Sequence, residues 1–218
     1  MNIEQARFNM IEQQIRTWDV LDTQILDLLM VVKREEFVPA AYKSLAFVDT
    51  EIPLPGGENM MAPKFEARIL QETALTKHEN VLEIGAGSGY MAALLAHRAR
   101  HVTTVELDAA LAAMARENLA AAGVTNVDVV EGDGARGWSA GAAQYDVIVI
   151  SGALPALPAA FLAQLRVGGR LLAVVGEAPV MMAQRVTRVS EVAYDTVTLF
   201  ETGITPLRNA APVSHFKF

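Results

Sequence analysis

The chain has 218 residues, of which 52% are hydrophobic and 20% charged, and its formal net charge is −7. Length and composition allow a sizeable globular core and exclude a disordered chain, while the acidic balance argues against a general nucleic-acid binder, which carries a basic face. The absence of cysteine excludes a disulfide framework and a thiolate metal site.

The opening MNIEQARFNM lacks the basic start and apolar core of a signal peptide, and no apolar run reaches membrane-spanning length. A soluble cytoplasmic protein is expected. Phe8, Ile11 and Ile15 fall at helical spacing until Thr17-Trp18-Asp19 breaks the pattern. Asp22 is placed to cap a second helix whose Ile25, Leu28, Leu29 and Val32 make one apolar stripe. Pro39 ends regular helix within FVPAAY (37–42). Residues 50–63, TEIPLPGGENMMAP, hold three prolines and two adjacent glycines and read as an irregular loop. Pro63 suits the first turn of a further helix carrying Phe65 and Ile69 on one face. The expected organisation is a helical extension and loop over 1–63 and an α/β domain over 64–218, together one compact unit.

From residue 80 the rhythm alternates. Strands are expected over 81–85, 101–107, 126–133, 145–151 and 169–176, with helices over 89–99, 108–122 and 158–165 between them. That pattern predicts an open, doubly wound sheet of parallel strands joined by right-handed crossovers. VMMAQRVTRV (180–189), VAYDTVTLFETG (192–203) and SHFKF (214–218) read as strands without crossover helices, so the sheet should finish antiparallel.

The stretch VLEIGAGSGY (81–90) carries the chemistry. Gly85, Gly87 and Gly89, interleaved with Ala86 and Ser88, follow a strand and open a helix. Their order is G-x-G-x-G, and Tyr90 stands where a dinucleotide fingerprint needs its third glycine. Glu83 lies just before the turn. It would repel a pyrophosphate but attract the sulfonium and ammonium of S-adenosylmethionine (AdoMet). Glu106, followed by Leu107, ends the second strand, where a carboxylate accepts from ribose hydroxyls. Gly132-Asp133-Gly134 ends the third, with Asp133 placed to accept from an adenine amino group. Three acids at the ends of consecutive parallel strands, beside a glycine turn, point to AdoMet. The histidines at 78, 97, 101 and 215 show no ligand pairing, and Ser88 and Ser151 have no His/Asp companions. Neither a metal site nor a hydrolase triad is expected.

MIEQQIR (10–16), FVP (37–39), the AdoMet-type loop, GDG (132–134), YDVIVISGA (145–153) and LRVGGRLLAVVG (165–176) together resemble the protein-L-isoaspartate O-methyltransferase family over nearly the whole chain. The resemblance implies a mostly parallel seven-stranded Rossmann-like sheet, AdoMet as donor, and methylation of the free carboxylate of an isoaspartyl residue in a damaged protein or peptide. It also places the acceptor loop at Gly57, Glu58, Asn59, Met60 and Met61, ending at Pro63. Asn59 stands at the family's threonine position, Met61 at its serine and Glu58 at its glutamine, so no catalytic residue is assigned. A methyltransferase for a less charged small-molecule acceptor and a non-catalytic AdoMet-binding module are the other readings. No nucleic-acid or membrane partner is expected.

Overall fold

The computed structural model describes residues 2–138 and 144–212. Helix α1 (Ile3–Met10) is capped by Asn2, whose side chain accepts from the Gln5 amide. It runs on through a π turn (Ile11–Ile15) and a 3-10 turn (Arg16–Trp18). The π turn changes the angular step of the helix. Met10, Ile11 and Ile15 are buried, whereas Phe8, expected on the same face as Ile11 and Ile15, is 49% exposed. Arg7 is buried instead and pairs with Glu4 and Glu35.

Helix α2 (Thr23–Val31) starts at Asp22, which accepts from the Gln24 amide, and Ile25, Leu28, Leu29 and Val32 are all buried. Helix α3 (Arg34–Phe37) stops before Pro39. The stretch read as an irregular loop holds a small antiparallel hairpin, β1 (Ile52–Pro53) with β2 (Asn59–Met60). Strands of two residues leave no alternation to read. Helix α4 (Pro63–Thr73) begins at its proline, as expected.

The main sheet then forms from β3 (Asn80–Ile84), β4 (His101–Glu106), β5 (Val127–Glu131), β6 (Tyr145–Leu154), β7 (Leu165–Glu177), β8 (Val180–Arg188) and β9 (Tyr194–Glu201). Helices α5 (Tyr90–Arg98), α6 (Ala109–Ala121) and α7 (Ala159–Ala163) connect them. Spatial order is β5-β4-β3-β6-β7-β8-β9. The first five strands in that order are parallel, while β8 and β9 run antiparallel to their neighbours. The seven strands are complete without residues 214–218, a stretch read as a strand that lies outside the described residues.

Side chains alternate across the sheet. Val81, Val102 and Val147 face a core that also contains Ile25, Leu29, Phe37 and Phe65 of the N-terminal helices. Leu82, Ile84 and Ile148 face a second core closed by Phe161 of α7. Between β3 and β6 the winding direction reverses, which opens a crevice at the carboxyl ends of those strands, the usual ligand position in such sheets. Among the described residues, no helix is long and apolar enough to cross a membrane.

Candidate active site

At the end of β3 the chain turns through residues 85–89 before α5 begins. Gly87 has φ +51, a left-handed conformation natural to glycine. That geometry aims its N–H at Glu106 Oε2, 2.9 Å away. The other Glu106 oxygen accepts from the Asp108 amide at 3.0 Å, and the residue is buried. Glu106 is therefore not a free carboxylate at a strand end. It ties the glycine turn to the start of α6, with one lone pair per oxygen left for a ligand.

Glu83 is fully buried, and its carboxyl accepts from the Thr104 hydroxyl at 2.7 Å and the Ser151 hydroxyl at 2.9 Å. Burial pushes this carboxyl up to about 8; the two hydroxyls oppose the shift and the charges of Glu106 and Glu66 add to it. Asp133 is exposed and accepts from the Ala135 amide and from Asn209 Nδ2, both within 3.0 Å. A Cβ on Gly132 would stand 2.5 Å from the Trp138 ring. That glycine is required by packing as much as by any ligand.

These residues line one cleft enclosing about 730 Å³, part of it open to solvent. Gly85, Ala86, Gly87, Ser88, Leu107, Gly132 and Gly134 share its wall with Glu83, Glu106 and Asp133. Gly89, expected beside them, is instead the N-cap of α5 and packs against the Ala115 backbone of α6.

The β1–β2 hairpin roofs the cleft. Glu58, Asn59, Met60 and Met61 line it, and Gly57 lies in the turn behind them. Met60 and Met61 are at once core residues and cleft wall. Asn59 donates to Thr205 Oγ1 at 3.0 Å, and that hydroxyl donates to Glu51 at 3.3 Å. Glu58 does not present the unpaired negative charge that its place in the loop suggests, because Arg208 Nε stands 2.7 Å from its Oε1.

Beneath the hairpin lies Arg34, fully buried. It pairs with the buried Glu66, donates to the Met61 carbonyl at 2.6 Å and stands 5.3 Å over the Tyr90 ring. Burial outweighs the ion pair and holds Glu66 above the ordinary carboxylate range. The Tyr90 hydroxyl, buried in the cleft wall, has no hydrogen-bond partner among the described residues.

Residues 204–208 close the remaining side as a strap. Thr205 and Leu207 exchange backbone hydrogen bonds with Ala153 at the end of β6, and Leu207 lies over Gly152. Sequence reasoning missed this strap, which has no periodicity to reveal it. It also missed Thr104 as the partner of Glu83, although the two face each other in the β3–β4 register. Among the described residues the cleft wall carries five carboxyl groups (Glu58, Glu66, Glu83, Glu106 and Asp133), of which Glu83 is held protonated up to about pH 8 and Glu66 is paired with Arg34, and one cation, Arg208. Such a wall suits a ligand rich in positive charge and hydrogen-bond donors.

The family model described as protein-L-isoaspartate(D-aspartate) O-methyltransferase matches residues 5–207. The chain belongs to this family. A protein-L-isoaspartate O-methyltransferase of Rhodopseudomonas palustris is 41% identical over 202 residues, covering 92% of each chain. One from Herpetosiphon aurantiacus is 37% identical, covering 97% of this chain and 94% of its own. The fold is shared with a Plasmodium falciparum structure described as a protein-L-isoaspartate O-methyltransferase in complex with S-adenosyl-L-homocysteine. Its TM-score is 0.79 at 17% identity, over 95% of this chain and 99% of that one. In this member of the protein-L-isoaspartate O-methyltransferase family the hairpin offers the cleft no hydroxyl between Glu58 and Met61.

Proposed function

We propose that the chain transfers a methyl group from AdoMet to the free carboxylate of isoaspartyl residues in protein, a step in the repair of damaged chains. The observation that carries this reading is the family match over residues 5–207, laid on an acid-lined cleft at the carboxyl ends of β3, β4 and β6. When bound, AdoMet supplies a methyl group activated on a sulfonium. The cleft fits it: Glu83, Glu106 and Asp133 are spread along one wall, and the turn from Gly85 to Ser88 gives backbone close to the ligand. Leu107, Gly132 and Gly134 complete that side.

The acceptor carboxylate has an ordinary pKa of about 4 and is ionised at neutral pH, so no general base is required. The residues of this chain have to align the acceptor oxygen and keep water out. Leu54, Met60, Met61, Met91 and Leu207 provide an apolar wall for that purpose.

Because Glu83 holds its proton up to about pH 8 in the free protein, AdoMet binding is expected to release a proton at pH 7. The cation favours the ionised carboxylate and so lowers its pKa in the complex. Affinity then rises with pH until about 8 and levels off above it. Calorimetry in buffers of different ionisation heat measures the proton directly. Flat affinity from about pH 6 to 9 would contradict this role for Glu83.

A screen with labelled AdoMet against an isoaspartyl peptide, its aspartyl isomer and neutral small molecules tests the function. Label in the isoaspartyl peptide alone is expected. Label only in a small molecule would favour a less charged acceptor, the reading supported by the Met60–Met61 wall. AdoMet binding with no transfer would leave a binding module.

A further inference from the structure

Among the described lining residues, an anionic acceptor entering this cleft meets the carboxylates of Glu58, Glu106 and Asp133 and one cation, Arg208, while Glu83 is protonated up to about pH 8 and Glu66 is paired with Arg34. It also meets a hairpin whose side chains between Glu58 and Met61 carry no hydroxyl. Arg208 sits at that point between two anchors. Leu207 is fixed on Ala153 and Gly152, and Asn209 donates to Asp133. The guanidinium spans the mouth, with Nε 2.7 Å from Glu58 and Nη2 3.5 Å from Asp108. The hairpin turn closes over the same place, since a Cβ on Gly56 would stand 3.2 Å from Asp108 Oδ2. Each carboxylate meets the guanidinium at a different nitrogen, Glu58 at Nε and Asp108 at Nη2, and the Asp108 contact is a single hydrogen bond of 3.5 Å.

We propose that Arg208 is the specificity-determining residue that receives the acceptor carboxylate, and that Glu58 holds the guanidinium in place until the substrate displaces it. This rests on the isoaspartyl reading above. The exchange trades one single-point contact for a two-point, charge-assisted one, which favours the substrate. Glu58 is partly exposed and returns to solvent when displaced. The shorter ion pair of Arg208 is with Glu58 of the hairpin, on the acceptor side, and its longer contact is with Asp108, next to the donor-side Glu106.

The two partners should therefore respond in opposite directions. The probe is an isoaspartyl peptide blocked at both ends, so that its isoaspartyl group is the sole carboxylate. Arg208→Gln is expected to raise KM for this peptide by about tenfold or more, the scale of a lost charge-assisted pair. AdoMet affinity should stay within about twofold, and Arg208→Lys should recover part of the loss. Glu58→Gln is expected to lower KM, because it removes the competitor. Binding of the same peptide to each variant loaded with S-adenosylhomocysteine should follow the same order. If both substitutions raise KM equally, the pair is only a structural clasp and the proposal fails. It fails too if Arg208→Gln weakens AdoMet and leaves peptide KM unchanged, which would give the guanidinium to the donor. Wild-type protein that neither binds nor methylates the peptide overturns the isoaspartyl reading along with this one.

Discussion

A Gly87→Val variant is expected to lose AdoMet affinity by about 100-fold or more while keeping its fold. Gly87 has φ +51, and a β-branched side chain is strained there by at least about 1–2 kcal/mol. A Cβ at this position would also stand 3.3 Å from Leu54 Cδ1, so the branches push against the hairpin that roofs the cleft. Relaxing either strain rotates the peptide and breaks the Gly87 N–H bond to Glu106. One substitution thus disturbs the glycine turn, the carboxylate behind it and the roof above it, which is why the loss should exceed that of any single contact. Calorimetric titration with AdoMet, alongside a circular dichroism spectrum, measures it. Wild-type affinity in a folded variant would remove the turn from the binding site.

The second large effect is on stability. Arg34→Met is expected to cost about 3–5 kcal/mol, because it leaves the Glu66 carboxylate buried with its charge uncompensated. It also frees the Met61 carbonyl, and with it the foot of the hairpin. The deficit should be largest above about pH 7 and shrink as pH falls toward it, because without the guanidinium the folded variant keeps the Glu66 proton to still higher pH than the wild type does. The folded protein holds the Glu66 proton more tightly than the unfolded chain does, so folding takes up a proton and gains stability at lower pH. Adding Glu66→Gln should recover most of the loss at neutral pH. Urea denaturation at two pH values measures both effects, and a deficit under about 1 kcal/mol would show that the pair is dispensable.

Local patterns carried the reading of the sheet and the glycine turn. Apolar runs such as 81–84, the helix stripe from Ile25 to Val32 and the cap at Asp22 are set by residues close in sequence, and they fold as read. Phe8 was misplaced because the inward face of α1 runs through Arg7, Met10 and Ile11, with a charged residue where an apolar one marks the period, and the hairpin because its strands are two residues long. What the carboxylates do was harder to see. That Glu83 is sealed by Thr104 and Ser151 depends on the pairing of β3 with β4 and β6. That Glu106 holds the turn as well as facing the cleft depends on the backbone at Gly87 and Asp108. Arg208 lies beyond the last strand, and the contacts of its strap with Ala153 and with Asn59 of the hairpin bring it to Glu58.

The most direct test is the ratio of kcat/KM for the isoaspartyl and aspartyl forms of one peptide, measured with labelled AdoMet at neutral pH. The proposed function predicts transfer to the isoaspartyl form at least about 100-fold faster than to its isomer, because a misplaced carboxylate loses the alignment on which the reaction depends. Equal rates for the two forms, or no transfer to either from a protein that binds AdoMet, would contradict it.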